Sequence, residues 1–168
     1  MRNKELFSIR SVPVENVLPL RQALLLDGDP GASRFRGDGD DSTLHLAVYR
    51  CEQIVAVASV CREARPGDTD TASWRIRGVA VEPELQRFGF GRLLIKLCLE
   101  HARRQNGRLI WCTARESARP FYETLGFNSP IPPFTLPAKG DMLFYEMHYR
   151  LPDSPGAGHD LAEHQQGR

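Results

Sequence analysis

Long apolar runs are missing from this 168-residue chain, and with them any transmembrane helix, which needs roughly 18–20 such residues in succession. The segment Met1-Arg2-Asn3-Lys4-Glu5 is charged and only short apolar fragments follow it, so no secretory h-region is expected either. Charge of one sign is equally scarce. The 22 Lys+Arg against 21 Asp+Glu leave a net charge of +1, which provides no global field for nucleic acid or an anionic membrane. Cysteine is sparse and scattered: Cys51, Cys61, Cys98 and Cys112 form no Cys-x-x-Cys pair. They read as buried thiols of a reducing compartment, with neither a disulfide framework nor a metal site. No Gly-Lys-Ser or Gly-Lys-Thr triplet occurs, which removes the Walker phosphate loop. Internal repeats are absent as well. What remains is one cytoplasmic domain whose 41% apolar content supports a sizeable core.

The stretch from Trp74 to Arg92 organises the rest. A strand over Ala72–Val81 ends at Pro83, and a short glycine-containing turn opens into a helix over about Phe90–Gln105, with Leu93, Leu94, Leu97, Cys98 and His101 or Ala102 on its apolar face. Upstream, Phe7–Arg10 reads as a short strand and Glu15–Leu26 as a helix with Pro19 in its first turns. Asp27–Gly31 ends that helix, and the polar run Arg36–Asp41 is a solvated loop; its aspartates lack the downstream glutamate of a calcium loop. Thr43–Arg50 and Ile54–Cys61 form an antiparallel hairpin about the Cys51–Gln53 turn. Downstream come an Asn106-Gly107 stop, a short strand over Leu109–Thr113 and a helix over Ser117–Leu125 with Ser117 as N-cap and Gly126 as its stop. A proline-rich connection over Ser129–Pro137 and a strand over Met142–Leu151 complete the domain, 1–151; the tail 152–168 is expected to be disordered. Two strands joined by so short a helical connection predict a parallel crossover, with the glycine turn at the carboxyl edge of the sheet, where open α/β sheets bind ligands.

Gly89-Phe90-Gly91 supplies two glycines of a dinucleotide fingerprint, and Leu94 stands where the third belongs. The remaining physical content is a run of amides from Arg87 to Arg92, with no Cβ at positions 89 and 91 and arginines at both ends. That arrangement suits a pyrophosphate at a helix N-terminus. Two glycines easing a strand-to-helix turn account for the same spacing.

Gln86-x-x-Gly89-x-Gly91, preceded by Val79-Ala80-Val81-x-Pro83 and followed by Leu93-Leu94, resembles motif A of the GNAT family of acyl-CoA-dependent N-acetyltransferases. Ala114-Arg115-Glu116-Ser117-Ala118-x-x-Phe121-Tyr122-Glu123-x-Leu125-Gly126-Phe127 resembles that family's motif B. The likeness spans roughly residues 5–151 and is nearest to bacterial members with a Trp-x-x-Arg-Gly strand and an Ala-Arg-x-Ser-Ala motif B. It implies an α/β (α+β) fold: a mixed, mostly antiparallel sheet of about six to seven strands with flanking helices, splayed between the strand ending at Val81 and the one starting near Leu109. It also implies acetyl-CoA as cosubstrate, no metal, and transfer of the acetyl group to a primary amine of a small molecule or peptide. A monomer or homodimer without nucleic acid or membrane partners is expected.

Residue by residue, the resemblance places the diphosphate on the amides of Arg87, Phe88, Gly89, Phe90, Gly91 and Arg92, with Gln86 opening the motif. Val79, Ala80 and Val81 line the pantetheine arm, and Arg115 and Ser117 stand on the motif B side of the cofactor. Tyr122 matches the tyrosine that can protonate the departing thiolate. Two positions depart from the pattern: Arg115 replaces a common asparagine, and Arg75 stands near where several members carry a glutamate. No general base is named on this basis; Glu63, Glu82, His45, Asp141 and Glu146 are weak candidates, and water is a substitute. An acyl-CoA-binding sensor or partner module with little catalysis is the alternative reading. Arg75 and Arg77 share one strand face. Turned toward the cleft they would favour an acceptor bearing a carboxylate or phosphate; turned away they are solvated.

Overall fold

The structure, a computed structural model, describes residues 6–25 and 33–152. The chain runs β1 (Phe7–Ser11), α1 (Val14–Leu25), β2 (Leu44–Arg50), β3 (Gln53–Arg62), β4 (Ser73–Val81), α2 (Phe90–Arg104), β5 (Leu109–Arg115), α3 (Arg119–Thr124) and β6 (Phe144–Arg150). The strands lie in the order β1-β2-β3-β4-β5-β6. Every neighbouring pair is antiparallel except β4 with β5, whose parallel crossover runs through α2. The expected mixed, mostly antiparallel sheet is present, with six strands.

The period-two alternation of β2, β3 and β4 sends side chains to two faces, and a helix covers each. Leu94, Ile95, Cys98 and Ala102 of α2 pack on Leu46, Val48, Ala56, Ala58, Val60, Trp74 and Ile76, the main core. Val17 and Leu20 of α1 pack on Ala47, Val57 and Ala80, the opposite face. Leu93 departs from the expected apolar stripe: it is 42% exposed, since Leu94 and Ile95 already fill the inward arc one position further on.

Pro19 lies in the second turn of α1, within the expected first turns; its missing N–H leaves the Glu15 carbonyl without its helical donor. Several other expectations are corrected. The strand β4 does not pass directly into a glycine turn, because Pro83–Phe88 forms a 3-10 segment first. α3 is shorter than the 117–125 span, since a 3-10 turn over Glu116–Ala118 precedes it; its N-cap is Ala118, not Ser117. Gly126 closes it at φ 96°, as expected of a C′ glycine. Cys51 is exposed in the hairpin turn, whereas Cys61, Cys98 and Cys112 are buried free thiols.

The acidic run is not simply solvated. Asp38 forms a forked pair with Arg21, Nη1 to Oδ2 at 2.8 Å and Nη2 to Oδ1 at 3.1 Å. The Arg21 side chain is fully buried, also donates to Ser59 Oγ at 2.8 Å, and lies over the Phe35 ring. His45 completes the network through Ser59 Oγ and the Asp38 carbonyl. The sequence-expected Asp27–Gly31 stop and the tail beyond Pro152 lie outside the described residues.

The proline-rich connection borders β6. Phe134 and Phe144 exchange both backbone bonds, at 3.0 and 2.8 Å, and Asn128 and His148 do the same at 2.9 and 2.7 Å. A proline-studded segment thus occupies the outer edge of β6 at two points and blunts it for further pairing.

Candidate active site

The parallel pair β4–β5 holds for only three registers, Ser73 with Leu109, Trp74 with Ile110 and Arg75 with Trp111. Beyond Arg75 the two strands carry no shared ladder, so the sheet opens between Ile76–Val81 and Cys112–Arg115. A β-bulge shapes the β4 side of this seam. Val57 pairs with Ala80 and Ser59 with Arg77, so Ala58 alone opposes Gly78 and Val79. Gly78 is at φ +62°, and a Cβ there would lie 2.6 Å from Arg21 Nε. Only glycine serves both demands. Past the bulge, Glu82 N–H donates to the Val55 carbonyl at 2.9 Å. By strand alternation Ala80 also turns its N–H to β3, and Val79 and Val81 turn theirs to the open seam.

At the far end of β4, Gln86 Nε2 donates to the Val81 carbonyl at 3.3 Å. Gly89, at φ 82°, both closes the 3-10 segment and caps α2, with no side-chain cap bond. The first intrahelical bond runs from Leu93 N–H to the Gly89 carbonyl. The amides of Phe90, Gly91 and Arg92 are therefore first-turn donors at the positive end of a 15-residue helix. A Cβ on Gly91 would sit 3.5 Å from Phe121 and 3.8 Å from Val81, so any side chain here would grow into the cleft between those two walls.

The cleft itself is a cavity of about 520 Å³. Val79, Val81 and Phe121 give it apolar walls, and Gln86, Arg87, Gly89, Gly91 and Arg92 form its polar end. These residues suit a slender ligand with an anionic head. Of the residues expected around a cofactor, Ala80 is instead buried beneath α1, Phe88 is 66% exposed, and Phe90 packs on Phe7 and Phe88. Ser117 lines no part of the cleft, and Arg115 lines its neighbour. Ala118 was missed as a lining residue, although its spacing of four from Tyr122 puts the two on one helical face.

Tyr122 closes the inner end. Its ring packs edge-on to Phe121 and Phe127, at 5.1 and 5.4 Å between centroids. Burial, and then the neighbouring Cys112, push its phenol well above the usual 10. Burial raises the Cys112 thiol to about 12, partly offset by the hydrogen bond donated from Tyr122. Both groups are protonated at neutral pH, and Tyr122 is a hydrogen-bond donor.

A second cavity, about 310 Å³, continues from the first and shares Val79, Ala118 and Tyr122 with it. Leu25 of α1, Ile76–Val79 of β4 and Cys112–Arg115 of β5 enclose the remainder. Arg77 lines it, with its guanidinium 4.4 Å from the Phe35 ring centroid. Arg75 lies on the same strand face but is engaged: its Nη1 is 2.6 Å from Glu63 Oε2 and its guanidinium stacks over Trp111 at 4.4 Å. Trp74 and Ile76 face the main core. Arg77 thus turns toward the cleft, and the solvated alternative is set aside for it.

None of the five weak base candidates lines either cavity. Glu63 is held by Arg75, His45 by Ser59 and the Asp38 carbonyl, and Glu146 by His148 at 2.7 Å and Arg65 at 3.3 Å. Asp141 is exposed on the loop before β6. Glu82 borders a larger cavity, about 680 Å³, between α1 and the β2–β3 turn. That cavity touches neither the glycine turn nor Tyr122, so its size does not make it the site. Among the described residues no group of three or more His, Cys, Asp or Glu could hold a metal ion.

Residues 40–129, more than half of the chain, match the acetyltransferase (GNAT) domain. The chain is 25% identical over 138 residues to the uncharacterized N-acetyltransferase YitI of Bacillus subtilis strain 168, covering 81% of this chain and 92% of that one. Its fold is similar to the ribosomal-protein-S18-alanine N-acetyltransferase of Escherichia coli, with a TM-score of 0.68 at 17% identity over 91% of this chain and 98% of the other. It is likewise similar to an aminoglycoside 6'-N-acetyltransferase complexed with coenzyme A, with a TM-score of 0.69 at 12% identity over 88% and 99% of the respective chains. The splayed seam, the glycine-capped helix and the family match over residues 40–129 converge on one assignment. The chain belongs to the GNAT family of acetyltransferases, enzymes that draw their acetyl group from acetyl-CoA.

Proposed function

We propose that this enzyme acetylates a primary amine by direct attack on acetyl-CoA within a ternary complex. The observation that carries the reading is the continuity of the two cavities at Val79, Ala118 and Tyr122. One cavity has the form of a cofactor groove and the other that of an acceptor pocket, and they meet at a single buried donor. Acetyl-CoA supplies an acyl group already activated as a thioester.

The amides from Arg87 to Arg92 hold the diphosphate, with Arg87 and Arg92 adding charge at the mouth. Val79 and Val81 turn main-chain groups to the seam, as a sheet edge does for an added strand, and so align the pantetheine arm. The N–H of Val81, or its neighbour Val79, is the donor for the thioester oxygen as it gains negative charge. Tyr122 turns its one O–H from Cys112 to the departing sulfur and donates a hydrogen bond to it; its raised pKa favours bonding over full proton transfer. A cysteine-bound acetyl intermediate is disfavoured, because burial lifts Cys98 and Cys112 to about 12 and leaves neither as thiolate. The acceptor is a small-molecule or peptide amine that loses its proton to water.

Titration calorimetry with acetyl-CoA and desulfo-CoA should show micromolar or tighter binding; no binding refutes the reading. Tyr122→Phe should lower kcat by about tenfold to a hundredfold, at or below the low end of general acid effects because the phenol bonds without full proton transfer, with little change in KM for acetyl-CoA. An equal loss in both parameters would assign Tyr122 to packing.

A further inference from the structure

We infer that the acceptor amine carries a carboxylate, which Arg77 and Arg115 hold in the pocket beyond Tyr122. The inference rests on the proposed function and adds a substrate class to it. The charged residues lining the 310 Å³ cavity are the half-buried Arg77 and, at its exposed rim, Arg115, and among the described residues no Asp or Glu lines it. Its other ionisable groups, Cys112 and Tyr122, are neutral in the folded protein. The pocket is therefore positive inside a protein whose overall charge is close to zero.

Glu63 does not cancel this charge, because one carboxylate serves two guanidiniums. Its Oε2 is 2.6 Å from Arg75 Nη1, while its Oε1 is 3.9 Å from Arg77 Nη1. Arg75 takes the firm contact. Arg77 keeps a long one and is fixed by stacking over Phe35, which leaves its N–H edge for a ligand. Burial, followed by the charge of Arg75, disfavours the cation at Arg77, and the opposite charge of an arriving carboxylate offsets that cost. A planar guanidinium fits a carboxylate by paired N–H···O bonds.

The same charge acts on the amine. An ammonium entering this pocket meets two arginines, whereas the neutral amine, the form that attacks the thioester, does not feel that repulsion. The arginines thus favour the nucleophilic form where no carboxylate base lines the site. Polyamines and other multiply cationic acceptors are repelled by the same field. The volume, at the small end of the roughly 300–1,000 Å³ usual for ligand pockets, limits the acceptor to one small amino acid or one terminal residue.

The test uses conjugates of CoA joined through its sulfur and an acetyl bridge to glycine, to glycinamide or to a diamine, with calorimetry on the full chain and CoA alone as reference. The glycine conjugate should bind about tenfold or more tightly than the glycinamide conjugate. Arg77→Gln should cut that ratio severalfold, Arg77→Lys should keep more of it, and the double variant Arg77→Gln/Arg115→Gln should bring it to about one; thermal melts establish that the variants fold. Equal binding of the glycine and glycinamide conjugates by the wild type overturns the inference, as does an unchanged ratio in Arg77→Gln or preference for the diamine. In each of these cases CoA alone still binds, so the proposed function stands. Failure of CoA itself to bind overturns the site reading and this inference with it.

Discussion

At the scale of single residues, the most constrained position is Arg21. It is fully buried, and its charge is balanced by Asp38. Removing one partner of such a pair leaves an uncompensated buried charge, which costs about 3–5 kcal/mol. Arg21→Met should lower the urea unfolding free energy by about that amount, and the double variant Arg21→Met/Asp38→Leu should recover most of the loss. A loss below about 1 kcal/mol, the usual value of an exposed pair, would show that water reaches the site. The buried thiols make a second residue-level prediction. Cys61 is raised from 9.0 to about 11, and Cys98 and Cys112 to about 12, in each case chiefly by burial. Between the unfolded and folded values the native chain holds more protons than the unfolded one, so stability is full below about pH 9 and falls as pH rises toward 12. Urea midpoints from pH 8 to 11 should decline, and Cys98→Val should flatten the decline. A midpoint independent of pH would contradict the burial of these thiols.

At the scale of elements, the glycine-capped start of α2 carries the cofactor prediction. Gly91→Val places a branched side chain where even a Cβ is 3.5 Å from Phe121, so it should abolish CoA binding while the melt stays within a few degrees. Retained binding would move the cofactor elsewhere. Gly89 faces open space; its variants should act instead through the left-handed backbone, at about 1–2 kcal/mol for Gly89→Ala. Most of this element pattern was legible because it is local. The β4 strand, the glycine turn, α2 and the Asn106 stop are all signalled by residues within a few positions of one another. Partners distant in sequence were not. The composition of Arg36–Asp41 reports average polarity and cannot show that Asp38 meets a guanidinium from α1. Leu93 belongs to an apolar pattern, but its exposure depends on what the tertiary packing leaves uncovered; the exposure of Cys51 follows from its place in the hairpin turn. Ser117 has the chemistry of a cap, yet Pro120 and the 3-10 turn place the helix start later.

At the scale of the whole molecule, motif order was the informative signal: a glycine turn before α2 and an aromatic motif after β5 require the two to meet across one seam, and they do. The charge of the acceptor pocket was not legible in this way. It depends on which face Arg77 takes and on how Glu63 divides its two oxygens between Arg75 and Arg77. Those are properties of the assembled sheet.

The three-register join of β4 to β5 also has a mechanical meaning. It is a joint between a four-stranded block bearing α1 and a two-stranded block bearing the proline-rich edge, and it is the shortest ladder among those that hold the sheet together. A ligand threaded into the gap acts as a rivet across that joint. Amide exchange at Trp74, Arg75, Ile110 and Trp111, none of which lines the cofactor cavity, should therefore slow when CoA is added. Exchange there that ignores the ligand would mean the two blocks already move as one.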